Sequence, residues 1–392
     1  DKIPKAVAVL NPKRKDCSYP FDELCGCGVG FKLIQALASK RGQTLEDLTT
    51  YLDLVATAIA ADIVPVTGEN RILTYFGLQV INSNPRNGIK AIIQGVKKNI
   101  LTITDVVFII APRINAAGRM KHGNYAVELL TEMDYETAIR FAASIEKFNI
   151  ERKEIDKKIT YEALQQIEAA DEKEKFSTVV YSEDWHKGVI GIVASRLIES
   201  YYRPTLVFTK SGEKLAASAR SVKGFDVYEA LEQCSEHLEQ FGGHKYAAGL
   251  TLSPDQYIPF KEKFEAVVKK TIDKELLIPE ITIDSPLELS DITPKFFRIL
   301  KQMGPFGPKN MKPVFTTHSV RDNGYGKRVG ADKSHLKLNI INGADQKTYN
   351  AIGFGLGDKI TSTQNDFDIA YNLDENEWNG NTSIQLLIKD IK

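Results

Sequence analysis

The sequence predicts a multidomain α/β protein that ends in a small β-barrel. Its 392 residues suffice, at roughly 100–200 residues per domain, for two to four packed cores. Residues 176–252 run strand, helix, strand, strand, helix, the order of a small α/β domain. Beyond residue 281 short strands dominate, and the oligonucleotide-binding (OB) barrel is the commonest fold of that pattern.

Along the chain, Lys5–Leu10 reads as a buried strand with almost nothing before it, as if the chain began inside a domain. Helix-like runs follow at 29–39, 45–63, 71–81 and 88–98, the second with an N-cap at Thr44 to Asp47. The stretch from Tyr135 to Ala170 lacks Gly and Pro and sets Ile139, Ala142, Ile145, Phe148, Ile155 and Ile159 on one stripe, which predicts a single long connecting helix. Strands at 177–181, 205–208 and 215–219 with helices at 189–198 and 227–238 build the α/β domain. A helix at 259–270 leads to a strand at 281–284, and strands at 313–320, 335–341, 349–354, 367–373 and 384–391 build the barrel.

Composition narrows the function classes. Lys+Arg and Asp+Glu both number 51, and 43% of residues are hydrophobic, which excludes long disorder and a surface coated in basic side chains but not a local basic groove. Cys17, Cys25, Cys27 and Cys234 are too few for a disulfide framework, so a reducing cytoplasm is expected. Cys25 and Cys27 form C-x-C without a second pair, which reads as a helix start rather than a zinc site. No run is apolar enough to span a membrane, and a soluble, unexported protein is expected.

Several residues stand out chemically. Asp53 is the one charge between Leu48 and Ala61, so it binds a metal, caps a neighbouring helix or pairs with a cation such as Arg113. Pro112 to Arg119 sets Arg113, Asn115 and Arg119 around a Gly turn, where the guanidinium groups hold phosphate or surface carboxylates. His186 and Lys187 sit where a strand turns into a helix, a place for anions. Ser218 and Arg220 end the next strand, and a loop offers Gly242, Gly243 and His244. Three anion-friendly turns in one domain argue more strongly than any one alone. Near the C-terminus a stiff turn carries Lys309. Lys312, Arg321, Lys327, Arg328, Lys333 and Lys337 follow, interleaved with Phe306, Phe315 and Tyr325. This is either a single-strand track, with stacked bases and paired phosphates, or a solvated basic face.

These motifs together resemble the RecJ family of the DHH phosphodiesterase superfamily. The matching stretches are Pro4 to Pro12, Gly28 to Lys32, Asp53 to Asn70, Pro112 to Met120, Trp185 to Leu197, Ala217 to Ser221, Gly242 to Gly249 and Gly304 to Phe315. The resemblance implies part of a DHH α/β domain over 1–134, a linking helix over 135–170, a DHHA1 domain over 171–275 and an OB barrel over 276–392. It also implies a metal-dependent 5′ to 3′ exonuclease specific for single-stranded DNA, acting in repair and recombination. Its two-metal centre would take Mn²⁺ or Mg²⁺, with Asp53 as the last ligand and the other ligands missing from this chain. Arg113, Asn115 and Arg119 would lie near the scissile phosphate, His244 in its Gly-Gly-His motif would face the metals, and Ser218 and Arg220 would hold phosphate. The chain itself is then expected to bind DNA without cutting it, as a monomer, with a single-strand-binding protein or a helicase as candidate partners. Cys25 and Cys27 stand where the family pattern has small residues. A DHH-DHHA1 phosphodiesterase for short oligonucleotides or cyclic dinucleotides, and a non-enzymatic single-strand-binding module, are the alternatives; the barrel argues against the first.

Overall fold

A computed structural model describes residues 3–342, 345–363, 365–378 and 381–392. Helix α1 (Gly26–Lys40) starts at the buried Cys25, whose Sγ accepts the Gly28 N–H at 3.4 Å. A 3-10 turn at Glu46–Tyr51 enters α2 (Leu52–Asp62), followed by α3 (Gly68–Ser83) and α4 (Asn87–Ile93). One helical run then comprises α5 (Ile103–Asp105), a π-helical turn at Val106–Ile110 and α6 (Ala111–Met120), before α7 (Asn124–Thr131) and α8 (Tyr135–Ala169). Next come β1 (Thr178–Tyr181), α9 (Ile190–Ser200), β2 (Thr205–Ser211), β3 (Lys214–Arg220), α10 (Val227–Glu232), β4 (Gln240–His244), β5 (Ala247–Leu252) and α11 (Tyr257–Thr271). The last part contains β6 (Ser285–Pro286), α12 (Pro294–Gln302), β7 (Phe315–Asp322), β8 (Lys327–Val329), β9 (His335–Asn342), β10 (Asp345–Gly353), β11 (Phe367–Trp378) and β12 (Asn381–Ile391).

Contacts divide the chain into two units. One comprises the chain up to Arg86, Val96–Ala111 and Ile281–Lys392; the other comprises Asn87–Gly95 and Pro112–Glu280. In the first, β7, β9, β10, β12 and β11 pair in that cyclic order, and the β7–β9 pairing closes the ring. With β10 and β12 parallel, this is the five-stranded OB barrel. Its interior holds Val320, Leu336, Leu338, Ile340, Tyr371 and Leu386, the inward half of a period-two alternation. The stiff turn at 304–310 fastens barrel to helices. Val66 donates its N–H to the Pro308 carbonyl at 2.8 Å, and Arg71 Nη2 donates to the carbonyls of Gln302 (3.0 Å) and Gly304 (2.9 Å). The fit is close enough that a Cβ on Gly307 would lie 2.4 Å from Val66 Cγ2.

The second unit has a five-stranded sheet in the order β1-β2-β3-β5-β4, with β1 and β2 parallel. Val179, Leu206, Phe208 and Leu250 face α10 and α11, while Val180 and Val207 face α8 and α9. Helix α8 buries a stripe of Ile145, Asn149, Arg152, Asp156, Ile159, Ala163 and Ile167, whose middle is polar.

The long helix and the barrel strands form where the sequence predicts them; several other elements differ. Lys5–Leu10 forms no strand, because a strand exists only by pairing and among the described residues this one has no partner. The run at 281–284 likewise yields only the two-residue β6 just beyond it. Arg113 to Arg119 lie on a helix, not around a Gly turn. The run containing α6 is capped by Thr102 and Asp105, it buries Ala116 and Ala117, and one Gly inside a helix costs only about 1 kcal/mol. Gly242 to His244 are strand rather than loop, because β5 supplies a partner ladder.

Candidate nucleic-acid interface

The second unit assembles much of the expected site. Paired residues of neighbouring strands share a face, so one row across β3, β5 and β4 reads Ser218, Gly249, Gly242 and the next reads Arg220, Ala247, His244. Above them stands the N-terminus of α9, which has no side-chain cap. Gly191 in its first turn lies so close that a Cβ there would be 2.9 Å from Ser218 Oγ and 3.0 Å from Arg220 Nη2. Arg220 Nη1 donates to Ser218 Oγ at 3.0 Å, and Arg119 Nη1 donates to the Gly188 carbonyl at 3.2 Å, which brings α6 to the same corner. Burial, then the neighbouring charge of Arg119, holds the Arg220 pKa below its ordinary value, and burial does the same to Arg119. Two guanidinium groups that repel each other beside a helix N-terminus, over a floor of glycines, form a place for an anion.

Other expected members are only partly there. Gly243 pairs with Ala248, and His244 is exposed, its Nδ1 accepting the Tyr246 N–H at 3.3 Å. His186 Nδ1 accepts the Gly188 N–H at 3.1 Å, while Lys187 turns aside to Ser211 Oγ at 3.0 Å. On α6, Arg113 Nε pairs with Glu146 of α8 at 2.5 Å, and Asn115 faces solvent. Six residues along a helix turn it by about 600°, so Arg113 and Arg119 leave it in different directions.

In the first unit Asp53 is fully buried and committed. Its carboxylate accepts Leu54 N–H (2.7 Å), Arg86 N–H (3.0 Å), Arg86 Nε (3.0 Å to each oxygen) and Arg86 Nη2 (2.8 Å). With its lone pairs taken by this guanidinium fork, Asp53 does not fit a metal ligand, and among the described residues no three His, Cys, Asp or Glu gather to hold an ion. The carboxylate of α2 that solvent reaches is Asp62, at the helix end. The ion-pair reading of Asp53 is therefore correct in kind, with Arg86 as the partner that sequence spacing did not reveal.

The barrel's basic residues are largely paired. Lys309 pairs with Glu23 at 3.1 Å, Lys312 with Asp374 at 3.0 Å, Arg328 with Asp358 at 3.2 Å, and Arg321 with Asp366. Lys327 and Lys337 instead sit opposite each other on β8 and β9, both exposed, and Tyr325, two residues before Lys327, is exposed as well. Phe315 lies in the core.

The family model of the DHHA1 domain matches residues 174–270 and that of the RecJ OB domain matches residues 283–390. The single-stranded-DNA-specific exonuclease RecJ of Bacillus subtilis (strain 168) is 35% identical over 396 residues, 99% of this chain and 49% of that protein. Its Escherichia coli (strain K12) counterpart is 32% identical over 415 residues, the whole of this chain and 71% of that protein. The crystal structure of RecJ in complex with Mg²⁺ from Thermus thermophilus superposes with a TM-score of 0.82 at 28% identity, over 97% of this chain and 57% of that one. The chain thus spans about half the length of the Bacillus subtilis relative. Sequence likeness over the full chain, both domain matches and the superposition agree: the chain belongs to the RecJ family.

Proposed function

We propose that the chain is the strand-holding part of a single-stranded-DNA exonuclease that works 5′ to 3′ with Mn²⁺ or Mg²⁺, and that alone it binds the strand without cutting it. The corner formed by Arg119, Ser218, Arg220 and the uncapped N-terminus of α9 carries this reading. Arg119 and Arg220 clamp a backbone phosphate, Ser218 donates its hydroxyl, and the glycine floor lets the sugar-phosphate chain pass close. None of these groups reads a base edge, so binding is independent of sequence. In the barrel, taken by itself, Lys327, Lys337 and Tyr325 suit a single strand, by phosphate pairing and base stacking. A divalent ion would supply an activated water and neutralise charge on the leaving oxygen. On this chain Asp62, rather than Asp53, is the α2 carboxylate open to such an ion.

The test is fluorescence anisotropy of the chain with a labelled single strand, its duplex and a dinucleotide, each across a salt titration. Tight, salt-steep binding to the single strand alone is expected. Equal binding to the dinucleotide would favour a phosphodiesterase of short oligonucleotides instead.

A further inference from the structure

We infer that Arg152, in the middle of the long helix α8, is a further determinant of phosphate binding: it supplies the corner at Arg119 with a buried positive charge that the protein neutralises only in part. The inference rests on the strand-holding reading and extends it to a residue outside every motif named above.

Arg152 is 9% exposed and Asn149, one turn earlier on the same stripe, is fully buried. Arg152 Nη2 donates to Asn149 Oδ1 at 3.0 Å, yet Arg152 Nε and Asn149 Nδ2 are both buried without an acceptor. Two buried donors lacking an acceptor on one helix face mark a place where an acceptor is wanting. The nearby carboxylate, Asp156, is already held by Arg196 of α9, whose Nε lies 2.9 and 3.0 Å from its two oxygens, while Arg152 Nη1 stands 3.9 Å away. Asp156 is thus shared unequally and spent mainly on Arg196.

The remaining neighbours are cations. Burial depresses the Arg152 pKa; Asp156 opposes this, and Arg119 and Arg196 push it further down. Arg119 in turn acts on Arg220. Met120, next to Arg119, packs against the core that Ile159, Ala163 and Ile167 of α8 help to form, and Arg113 of α6 pairs with Glu146 of α8, so the two helices belong to one packed group. Four guanidinium groups, Arg220, Arg119, Arg152 and Arg196, thus act on one another in this region; Asp156 lies between Arg152 and Arg196, and Glu199 acts on Arg196. A dianionic or monoanionic phosphate at Arg119 offsets the excess, and in a partly desolvated site the attraction extends beyond direct contact.

The experiment measures three variants of the chain, Arg152→Gln, Arg152→Lys and Arg220→Ala, by anisotropy with a labelled oligothymidylate across a KCl titration, alongside thermal midpoints. Arg152→Gln is expected to weaken binding about tenfold and to flatten the salt dependence, while its midpoint stays equal to or above that of the parent because a strained buried charge is gone. Arg152→Lys keeps the charge and is expected to stay within about threefold of the parent affinity. A lowered midpoint with unchanged affinity and salt slope in Arg152→Gln would assign Arg152 to helix packing and overturn the inference. So would a loss in Arg152→Lys as large as in Arg152→Gln. If Arg220→Ala weakens binding and Arg152→Gln does not, this inference alone fails; if neither does, the strand-holding reading fails with it.

Discussion

The pairing of Asp53 with Arg86 makes a quantitative prediction. Asp53 has no solvent exposure, and the Arg86 side chain is 18% exposed. Replacing Arg86 with Gln leaves a buried carboxylate whose remaining donors, among the described residues, are the backbone N–H groups of Leu54 and residue 86, which costs about 3–5 kcal/mol. Replacing Asp53 with Asn removes the negative charge but leaves an Arg that still donates to the Thr50 carbonyl at 3.1 Å and reaches water, so the cost is about 2–3 kcal/mol. In the double variant neither charge is stranded, and the total should fall short of the sum by about 2 kcal/mol. Urea unfolding followed by circular dichroism in the far ultraviolet measures all three. Additive costs, or a loss under about 1 kcal/mol for Arg86→Gln, would refute the pair as a staple of the fold. Millimolar Mn²⁺ provides an independent arm. A metal held by Asp53 would raise the parent's unfolding midpoint and leave that of Asp53→Asn unmoved. The committed carboxylate predicts no difference between them.

Three further outcomes follow from other parts of the structure. Arg220→Ala should weaken binding to all single-stranded sequences by the same factor and reduce the salt slope by about one, measured by anisotropy; a change confined to some sequences would contradict backbone recognition. Gly307→Ala forces a Cβ against Val66 Cγ2 and should lower stability by about 1–3 kcal/mol, with cleavage at the 304–310 turn accelerated in limited proteolysis; an unchanged digestion pattern would count against the tight joint. Burial raises the Asp105 pKa, but donation from Lys98 and Thr102 outweighs it, so the folded value lies below the ordinary one. The stability it contributes is complete above the unfolded-state pKa and is lost as pH falls through the lowered folded value; Asp105→Asn should therefore flatten the acid limb of a midpoint-against-pH curve and leave its slope above neutrality unchanged.

What could be read from sequence was what local pattern dictates. Helix α8 was legible because nothing in Tyr135–Ala169 interrupts a helix, and the barrel strands because alternation of the Leu336, Leu338, Ile340 kind has one reading. Helix α6 was obscured by Gly118, a weak local signal overruled by burial of its neighbours. β4 and β5 were hidden because Gly242, Gly243 and Gly249 erase the alternation that marks a strand. The anion corner was legible as a set of residues but not as a geometry. That Lys187 turns to Ser211 and Arg113 to Glu146, while Arg119 stays, depends on directions set by helices. The partners of Asp53 and Lys309 were beyond reach, being 33 residues away at Arg86 and 286 away at Glu23, and single-residue charge complements carry no signal over such spans.

The joint at residues 304–310 also bears on how the polypeptide is made. Arg71 meets its carbonyl partners across 231 and 233 positions of chain, and Lys309 meets Glu23 across 286. At about 5–20 residues per second, a ribosome leaves the early helices waiting roughly ten seconds or more for the segment that completes them. The intervening Pro112–Glu280 stretch, whose sheet partners lie within itself, is free to collapse in that interval. The early helices therefore gain these long-range hydrogen bonds only after the barrel segment has been made, so completing their unit is the last step of its assembly rather than the first.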